Sequence, residues 1–364
     1  MKFRIVSIVL AVLLLLVLVV AGCAQPAPAP SPKPTPSPSP SPSPKPSPSP
    51  TAKVPFDLKL WSFTAGSITY LMAFAEAEII NKYSTWLRAE AVETAGSGKH
   101  ITDMTSKPEL RKNVLFQAPD SSVVAASNGV WPFEKPYQGA RAVVVFSDST
   151  MFWATYDKNI KTKDDFKGKR VMYQAKAVSS GLGFDYLLKD VWKIGDTVKI
   201  SYGDFNAAAR ALRDGVADIV QESANGLGDV WDLGPIPAQL AAEKPGFRPV
   251  SIPAEDILAV NKVSGYLFHP VTYKPGQLKG MEYSEPFTGL ANMLAFWADE
   301  SMDPEVVYEF VRIIYERADE VKARFAGSYL TKNNMAMIPV AENLFHPGAL
   351  KFYKERNVPI GMKY

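Results

Sequence analysis

From Leu58 onward, short apolar runs alternate with stretches whose apolar residues recur at helical spacing, and this alternation limits the folds open to the chain. A strand that returns parallel to its predecessor needs a crossover, usually a helix, so the rhythm of strand, polar turn and helix predicts an α/β fold with largely parallel sheets. Leu58 and Leu60 open the first strand. Ser67 to Tyr83 places Ile68, Leu71, Met72, Ala75, Ile79 and Tyr83 on one helical face. A strand from Leu87 to Val92, a turn through Ala95-Gly96-Ser97-Gly98, a strand from Val114 to Gln117 and a helix from Ser121 follow.

Arg141 to Phe146 and Met151 to Tyr156 read as two further strands, where the chain leaves one lobe for another. A second series begins there: strand Arg170 to Gln174, helix Ser179 to Val191, strand Val198 to Tyr202, helix Phe205 to Arg213 and strand Ala217 to Gln221. Apolar runs at Gly265 to Phe268 and Gly289 to Trp297 carry the chain back. A long helix then starts at Asp303-Pro304, an N-cap residue followed by proline at the first helical position. Val307, Phe310, Val311, Ile314, Ala318 and Val321 give that helix an apolar stripe facing the first lobe.

The first residues set Lys2 and Arg4 before an apolar run from Ile5 to Val20 broken only by Ser7, the layout of a secretory signal. A single membrane-spanning helix is the competing reading, but the run falls short of the roughly 20 residues that span a bilayer comfortably. Val20-Ala21-Gly22-Cys23 resembles the bacterial lipobox, in which the leader is cut before the cysteine and the thiol is acylated. Cys23 is the one cysteine in the sequence, so no disulfide forms within one copy, and lipidation would remove a reactive thiol. From Gln25 to Pro50 the chain is almost entirely Pro, Ser, Ala and Lys. With no large apolar residue to offset ordering entropy it is expected to extend as a stiff tether of about 3 Å per residue. Docking to a proline-recognition module is the other use of such a tract.

Three segments carry a family resemblance. Lys161 to Val171, reading Lys-Thr-Lys-Asp-Asp-Phe-Lys-Gly-Lys-Arg-Val, looks like the entry to the second lobe of many periplasmic binding proteins. Ser201-Tyr202-Gly203-Asp204-Phe205-Asn206, continuing through an alanine-rich stretch to Gly215 and Asp218, resembles the TAXI family of TRAP-transporter solute-binding subunits. His346-Pro347-Gly348-Ala349-Leu350-Lys351-Phe352-Tyr353 is similar to the same family near its C-terminus. The resemblance covers Val54 to Tyr364. It implies a two-lobed, periplasmic-binding-protein-like α/β fold, each lobe a mostly parallel sheet flanked by helices, with hinge crossover segments. The division it implies is a lipoprotein signal peptide over 1–22, a Pro/Ser-rich tether over 23–53, lobe I over 54–147, lobe II over 148–262, and a return to lobe I with C-terminal helices over 263–364. Two turns depart from the family pattern: Thr64-Ala65-Gly66-Ser67-Ile68-Thr69-Tyr70, and Ala177-Val178-Ser179-Ser180-Gly181. Both lie where a ligand is expected, so no relative's ligand is carried over.

In open parallel sheets the ligand lies beyond the C-terminal strand ends, where helix N-termini offer unpaired N–H groups and partial positive charge. Thr64, Gly66, Ser67, Thr69 and Tyr70 occupy one such turn, Thr94 and Ser97 a second, Gln117, Asp120, Ser121 and Ser122 a third, and Ser179 and Ser180 a fourth. Helix capping accounts for any one of these hydroxyls. Their recurrence at four successive strand ends favours a ligand site. Glu222 and Asp120 are candidates for an ammonium group or for capping, and Tyr70, Trp153, Tyr202 and Trp231 for aromatic walls or core.

Catalysis finds little support. His100, His269 and His346 are the three histidines, without metal-ligand spacing, and no Gly-x-Ser-x-Gly elbow, P-loop or Cys–His arrangement occurs. No cofactor or metal is called for. The formal charge of +3 becomes +1 once Lys2 and Arg4 leave with the leader, which gives no footing for a nucleic-acid partner. The expected function is an extracytoplasmic, lipid-anchored receptor that captures a small organic anion or amino acid for TRAP integral membrane subunits. A substrate-binding lipoprotein of an ABC importer is the alternative within the binding class, and an exported enzyme the alternative outside it.

Overall fold

Phe56–Ser62 forms β1, exposing Asp57 and Lys59 while burying Leu58 and Leu60 between them. The computed structural model describes residues 53–361 apart from 64, 66, 134, 176–177 and 325–327. The leader, Cys23 and the Pro/Ser tract therefore lie outside the described residues, as do Thr64 and Gly66. After β1 come α1 (Ile68–Tyr83), β2 (Leu87–Glu93), α2 (Ser97–Ser106), β3 (Val114–Pro119), α3 (Asp120–Asn128) and β4 (Ala140–Thr155). Next are β5 (Arg170–Tyr173), α4 (Ser179–Tyr186), β6 (Lys199–Tyr202), α5 (Phe205–Arg213), β7 (Ile219–Leu227), β8 (Val230–Leu233), α6 (Pro235–Glu243), β9 (Arg248–Val250) and α7 (Ala254–Ser264). The chain closes with β10 (His269–Tyr273), β11 (Phe287–Asp299), α8 (Pro304–Glu316), α9 (Ala318–Arg324) and α10 (Pro347–Glu355).

Among the described residues eleven strands make one mixed sheet whose main path runs β2-β1-β3-β11-β4-β7-β5-β6. The outer strands are parallel, as the alternation of strands and helices requires: β1 with β2 and β3, and β5 with β6 and β7. The centre is antiparallel. There β4 and β11 pair along ten positions, and each continues past the other's neighbours into both halves of the sheet. At 16 residues β4 is about 50 Å long, far beyond an ordinary strand of five or six residues. The sequence reading of two strands here, 141–146 and 151–156, is corrected to one. Its polar interruption, Ser147 to Thr150, stays in the ladder; Ser147, Asp148 and Thr150 are buried. The pairing skips Phe146, since Leu294 faces Ser147 and Ala295 faces Val145, so the strand bulges where it passes from one half to the other.

The family-like run from Ser201 folds as β6 and α5, with Asp204 capping the helix through a 2.7 Å bond from the Ala207 N–H. Gly215 then turns the chain at φ +66°, a left-handed conformation that favours glycine. Asp303 caps α8 as read from the sequence, and Val307, Phe310, Val311, Ile314, Ala318 and Val321 are all buried, but the one long helix expected there is two: α8 ends at Glu316, and Ala318 and Val321 belong to α9, while α8 packs on α1, β2 and α10. His346 caps α10: its Nδ1 accepts from the Gly348 N–H at 3.3 Å. On α1 the expected face shifts by part of a turn. Leu71 is 43% exposed and Phe74 49%, while Glu76 is fully buried. The turn read at Ala95 to Gly98 is shorter than expected, because Gly96 bends at φ +100° and α2 starts at Ser97.

Candidate functional site at the helix starts

Two helices begin at the crossing strands, and one side chain touches both. Pro119 ends β3 and precedes α3, whose first residue, Asp120, turns its carboxylate back on the chain. Asp120 Oδ1 accepts from the Ser121 N–H at 2.7 Å and from the Met293 N–H of β11 at 3.0 Å, which fixes the helix start against the crossing strand. One residue earlier on β11, Asn292 Nδ2 donates to Ser121 Oγ at 3.1 Å and to Ser179 Oγ at 3.4 Å. Ser121 lies in the first turn of α3 and Ser179 opens α4, so the two first turns converge on Asn292. A side chain at Gly181 would stand 2.2 Å from the Gln174 carbonyl oxygen and 2.4 Å from that of Ala175. Glycine is what lets the first turn of α4 pack on the end of β5.

A second polar network closes the ends of β1 and β3. Gln117 accepts from Ser62 Oγ at 2.9 Å and donates through Nε2 to the Thr69 carbonyl at 2.9 Å. Thr94 donates to the Ser62 carbonyl at 2.6 Å, accepts from the Gly96 N–H at 3.1 Å, and contacts His100 Nε2. His100 Nδ1 meets the Gln117 carbonyl at 2.7 Å, and burial holds this imidazole down to about 4, neutral at ordinary pH. Ser67 caps α1 by accepting from the Tyr70 N–H at 3.2 Å, and its hydroxyl is 2.9 Å from that of Thr69.

Strand register separates what else lies here into two faces. Asn292 pairs with Ser149, which pairs with Asn225, whereas Met293 pairs with Asp148 and Glu222 with Phe152. Alternation then puts Asp148 and Glu222 on the face opposite Asn292, and Gln221 on the same face as Asn292. On the opposite face Asp148 Oδ2 meets His269 Nε2 at 2.7 Å, both buried. Burial pushes the Asp120 carboxyl up to about 7, against the pull of the His269 charge and with a further push from Asp148. Burial works against a charged His269, but the charge of Asp148 and the hydrogen bond to it prevail and hold the imidazole above its ordinary value. Glu222 has no hydrogen-bond partner for either carboxylate oxygen, and burial pushes it up to about 8.

Of the residues singled out in the sequence, Asp120, Ser121 and Ser179 come together at Asn292, with Ser122 buried beside them on α3. Ser180 donates to Gln174 Oε1, whose backbone N–H in turn donates to Gln221 Oε1 at 2.9 Å. Ser67, Thr69, Thr94 and Gln117 gather at the ends of β1 and β3, with Tyr70 half-buried in the first turn of α1 and Ser97 half-buried in that of α2. Glu222 stands apart on the other face. Of the aromatic candidates, Trp153 is buried against Phe184, Tyr173 and Phe166, Trp231 stands edge-on to Tyr273, and Tyr202 is exposed with its hydroxyl donating to Asp185 at 3.1 Å. The sequence reading names neither Asn292 nor Asp148, and it weighs His269 only as a metal ligand or catalytic group. Asn292 had a signal, as the one amide within the apolar run Gly289 to Trp297.

No group of His, Cys, Asp or Glu suited to a metal occurs among the described residues, and no helix among them is long and apolar enough to cross a membrane. The profile of the NMT1-like family matches residues 63–356. Solved structures similar to the chain include a TctC solute binding protein from Polaromonas, at 12% identity over 76% of this chain and 90% of that one, with a TM-score of 0.49. The periplasmic aliphatic sulphonate binding protein SsuA from Escherichia coli is 14% identical over 84% of this chain and 94% of its own, with a TM-score of 0.42. MatC from Rhodopseudomonas palustris with bound malate is 11% identical over 82% and 95%, with a TM-score of 0.45. No curated protein matches the chain.

Proposed function

The chain belongs to the NMT1-like family, and from that premise we propose that it is an extracytoplasmic solute-binding receptor, capturing a small organic anion or amino acid for a membrane transporter. The observation that carries this reading is Asn292 on a crossing strand, bonded at once to Ser121 at the start of α3 and to Ser179 at the start of α4. Helix starts present N–H donors and partial positive charge, which suit a carboxylate or a polar oxygen without any basic side chain. Strands that run through both halves of a sheet suit hinge closure, in which two lobes swing about the crossing segments and trap the solute. In that mechanism the chain does no chemistry; the solute favours the closed form by its contacts to both lobes, and the closed form offers the transporter a different surface.

The finer assignment is a TAXI-type receptor of a TRAP transporter, held to the membrane through a lipidated Cys23. Its support is the sequence resemblance at Lys161 to Val171, Ser201 to Asp218 and His346 to Tyr353. A thermal-shift screen of small carboxylates and amino acids tests the receptor. A true solute at about 100 times its Kd adds about 2.7 kcal/mol of stability, a rise of several degrees. A chain that no carboxylate or amino acid stabilises overturns the solute class. Co-purification from native membranes then reads the transporter: integral TRAP subunits are expected, and an ATPase-bearing importer in their place overturns the TAXI assignment.

A further inference from the structure

At the Thr155 end of β4, β9 pairs Arg248 with Thr155 and Val250 with Trp153, and beside it Phe287 opens β11. Between these strands and the 282–286 segment lies a cavity of about 610 Å³, within the range of roughly 300–1,000 Å³ typical of small-molecule sites. Phe287 is five residues from Asn292 along β11, about 17 Å, so this space is separate from the helix starts.

Arg248 decides the chemistry of the cavity. Its Nη1 donates to the Lys158 carbonyl at 3.3 Å, while its Nε is buried and has no hydrogen-bond partner. Buried polar groups are nearly always bonded, and one that belongs to a cation is costly to leave open. With Nη1 committed and Nε closed off from solvent, Nη2 is the donor the guanidinium has left for a carboxylate. Ser251 lines the same space, and its Oγ accepts from the Thr288 N–H at 2.9 Å, which leaves the hydroxyl proton to give. Tyr283 presents its ring and not its hydroxyl, because that oxygen donates to the Lys274 carbonyl at 2.6 Å and accepts from the Leu278 N–H at 3.2 Å. The ring stands edge-on to Phe287 at 5.0 Å, and Pro249 and Pro286 extend the apolar wall. Glu282 and Glu285 are exposed at the rim, where water solvates them, so they oppose a bound anion only weakly.

We propose that this cavity is a second ligand site, for a small carboxylate with an aromatic or branched apolar body. The carboxylate takes Nη2 of Arg248 and the Ser251 hydroxyl, and the body lies against Phe287 and the Tyr283 ring. Binding of 4-fluorobenzoate to the mature full-length chain, followed by fluorine NMR, tests this independently of the receptor reading. Arg248→Gln is expected to weaken binding about tenfold or more, the usual effect of losing hydrogen bonds to a charged group. Ser284→Trp, a change at an exposed lining position, fills the mouth with a bulky ring and is expected to weaken binding in the same direction. Asn292→Ala leaves it unchanged. Absence of millimolar binding in the wild type, wild-type affinity in both Arg248→Gln and Ser284→Trp, or loss with Asn292→Ala alone would each overturn the proposal.

Discussion

Asp148 Oδ2 lies 2.7 Å from His269 Nε2, and the two strands that carry them, β4 and β10, flank β11 on opposite sides. The bond therefore reaches across a crossing strand, joining three strands where the sheet passes from one half to the other. Asp120 adds a third titratable group, since its charge and that of His269 act on each other.

Cutting this buried pair from one side takes a hydrogen-bonded partner from the other member inside the protein. Asp148→Ala or His269→Ala is expected to cost about 3–5 kcal/mol of unfolding free energy in urea titrations. The double variant should cost clearly less than the sum, because both single changes break the same bond. Strictly additive losses would show that the two side chains do not act as a pair.

The folded chain is expected to lose stability from mildly acidic to mildly alkaline pH. Burial pushes Glu76 and Glu222 up to about 8 and Asp120 up to about 7, all above their ordinary range near 4. A carboxyl raised on folding leaves stability intact below its unfolded value, and that stability is lost as pH rises through the folded value. The raised His269 acts in the same direction at higher pH. Melting temperature should thus fall between about pH 5 and 8.5, and Glu76→Gln with Glu222→Gln should flatten the slope by sparing the cost of burying two anions. A midpoint that rises over this range would contradict the assignment.

The parts of the fold legible in the sequence are those whose local signals agree with the tertiary structure. α5 was read to the residue because Asp204 caps it and Gly215 turns the chain after it. β4 was split in two because buried Ser147, Asp148 and Thr150 mimic a loop, although tertiary partners keep them in the ladder. α2 was missed because Gly96-Ser97-Gly98 reads as a turn, and only Gly96 bends. At the candidate site the helix-start hydroxyls were legible from turn position. Asn292, Asp148 and His269 were not, since their roles depend on which strands pair, a non-local fact that no local period reports.

Membrane attachment is expected to depend on one atom. Cys23→Ala should abolish incorporation of radiolabelled palmitate and leave the chain either uncleaved at this site or released, because the sequence holds no other thiol to carry the lipid. Undiminished labelling of the variant would place the anchor elsewhere.

Ser67 and Asn292 separate capping from solute binding. Ser67 Oγ accepts from the Tyr70 N–H at 3.2 Å, so Ser67→Ala is expected to lower stability by about 1 kcal/mol through the lost cap. Asn292 holds no helix turn of its own; its amide bonds two serines in the first turns of different helices. Removing it loosens the convergence of α3 and α4, and a solute bound at those helix starts would then meet donors no longer aimed at one point. Calorimetric titration of the solute identified by screening should show Asn292→Ala losing about tenfold or more in affinity, while urea unfolding registers about 1–2 kcal/mol for two neutral hydrogen bonds. Ser67→Ala, measured alongside, should lose affinity only if the first turn of α1 also holds the solute. Wild-type affinity in Asn292→Ala would remove the helix starts of α3 and α4 from the site.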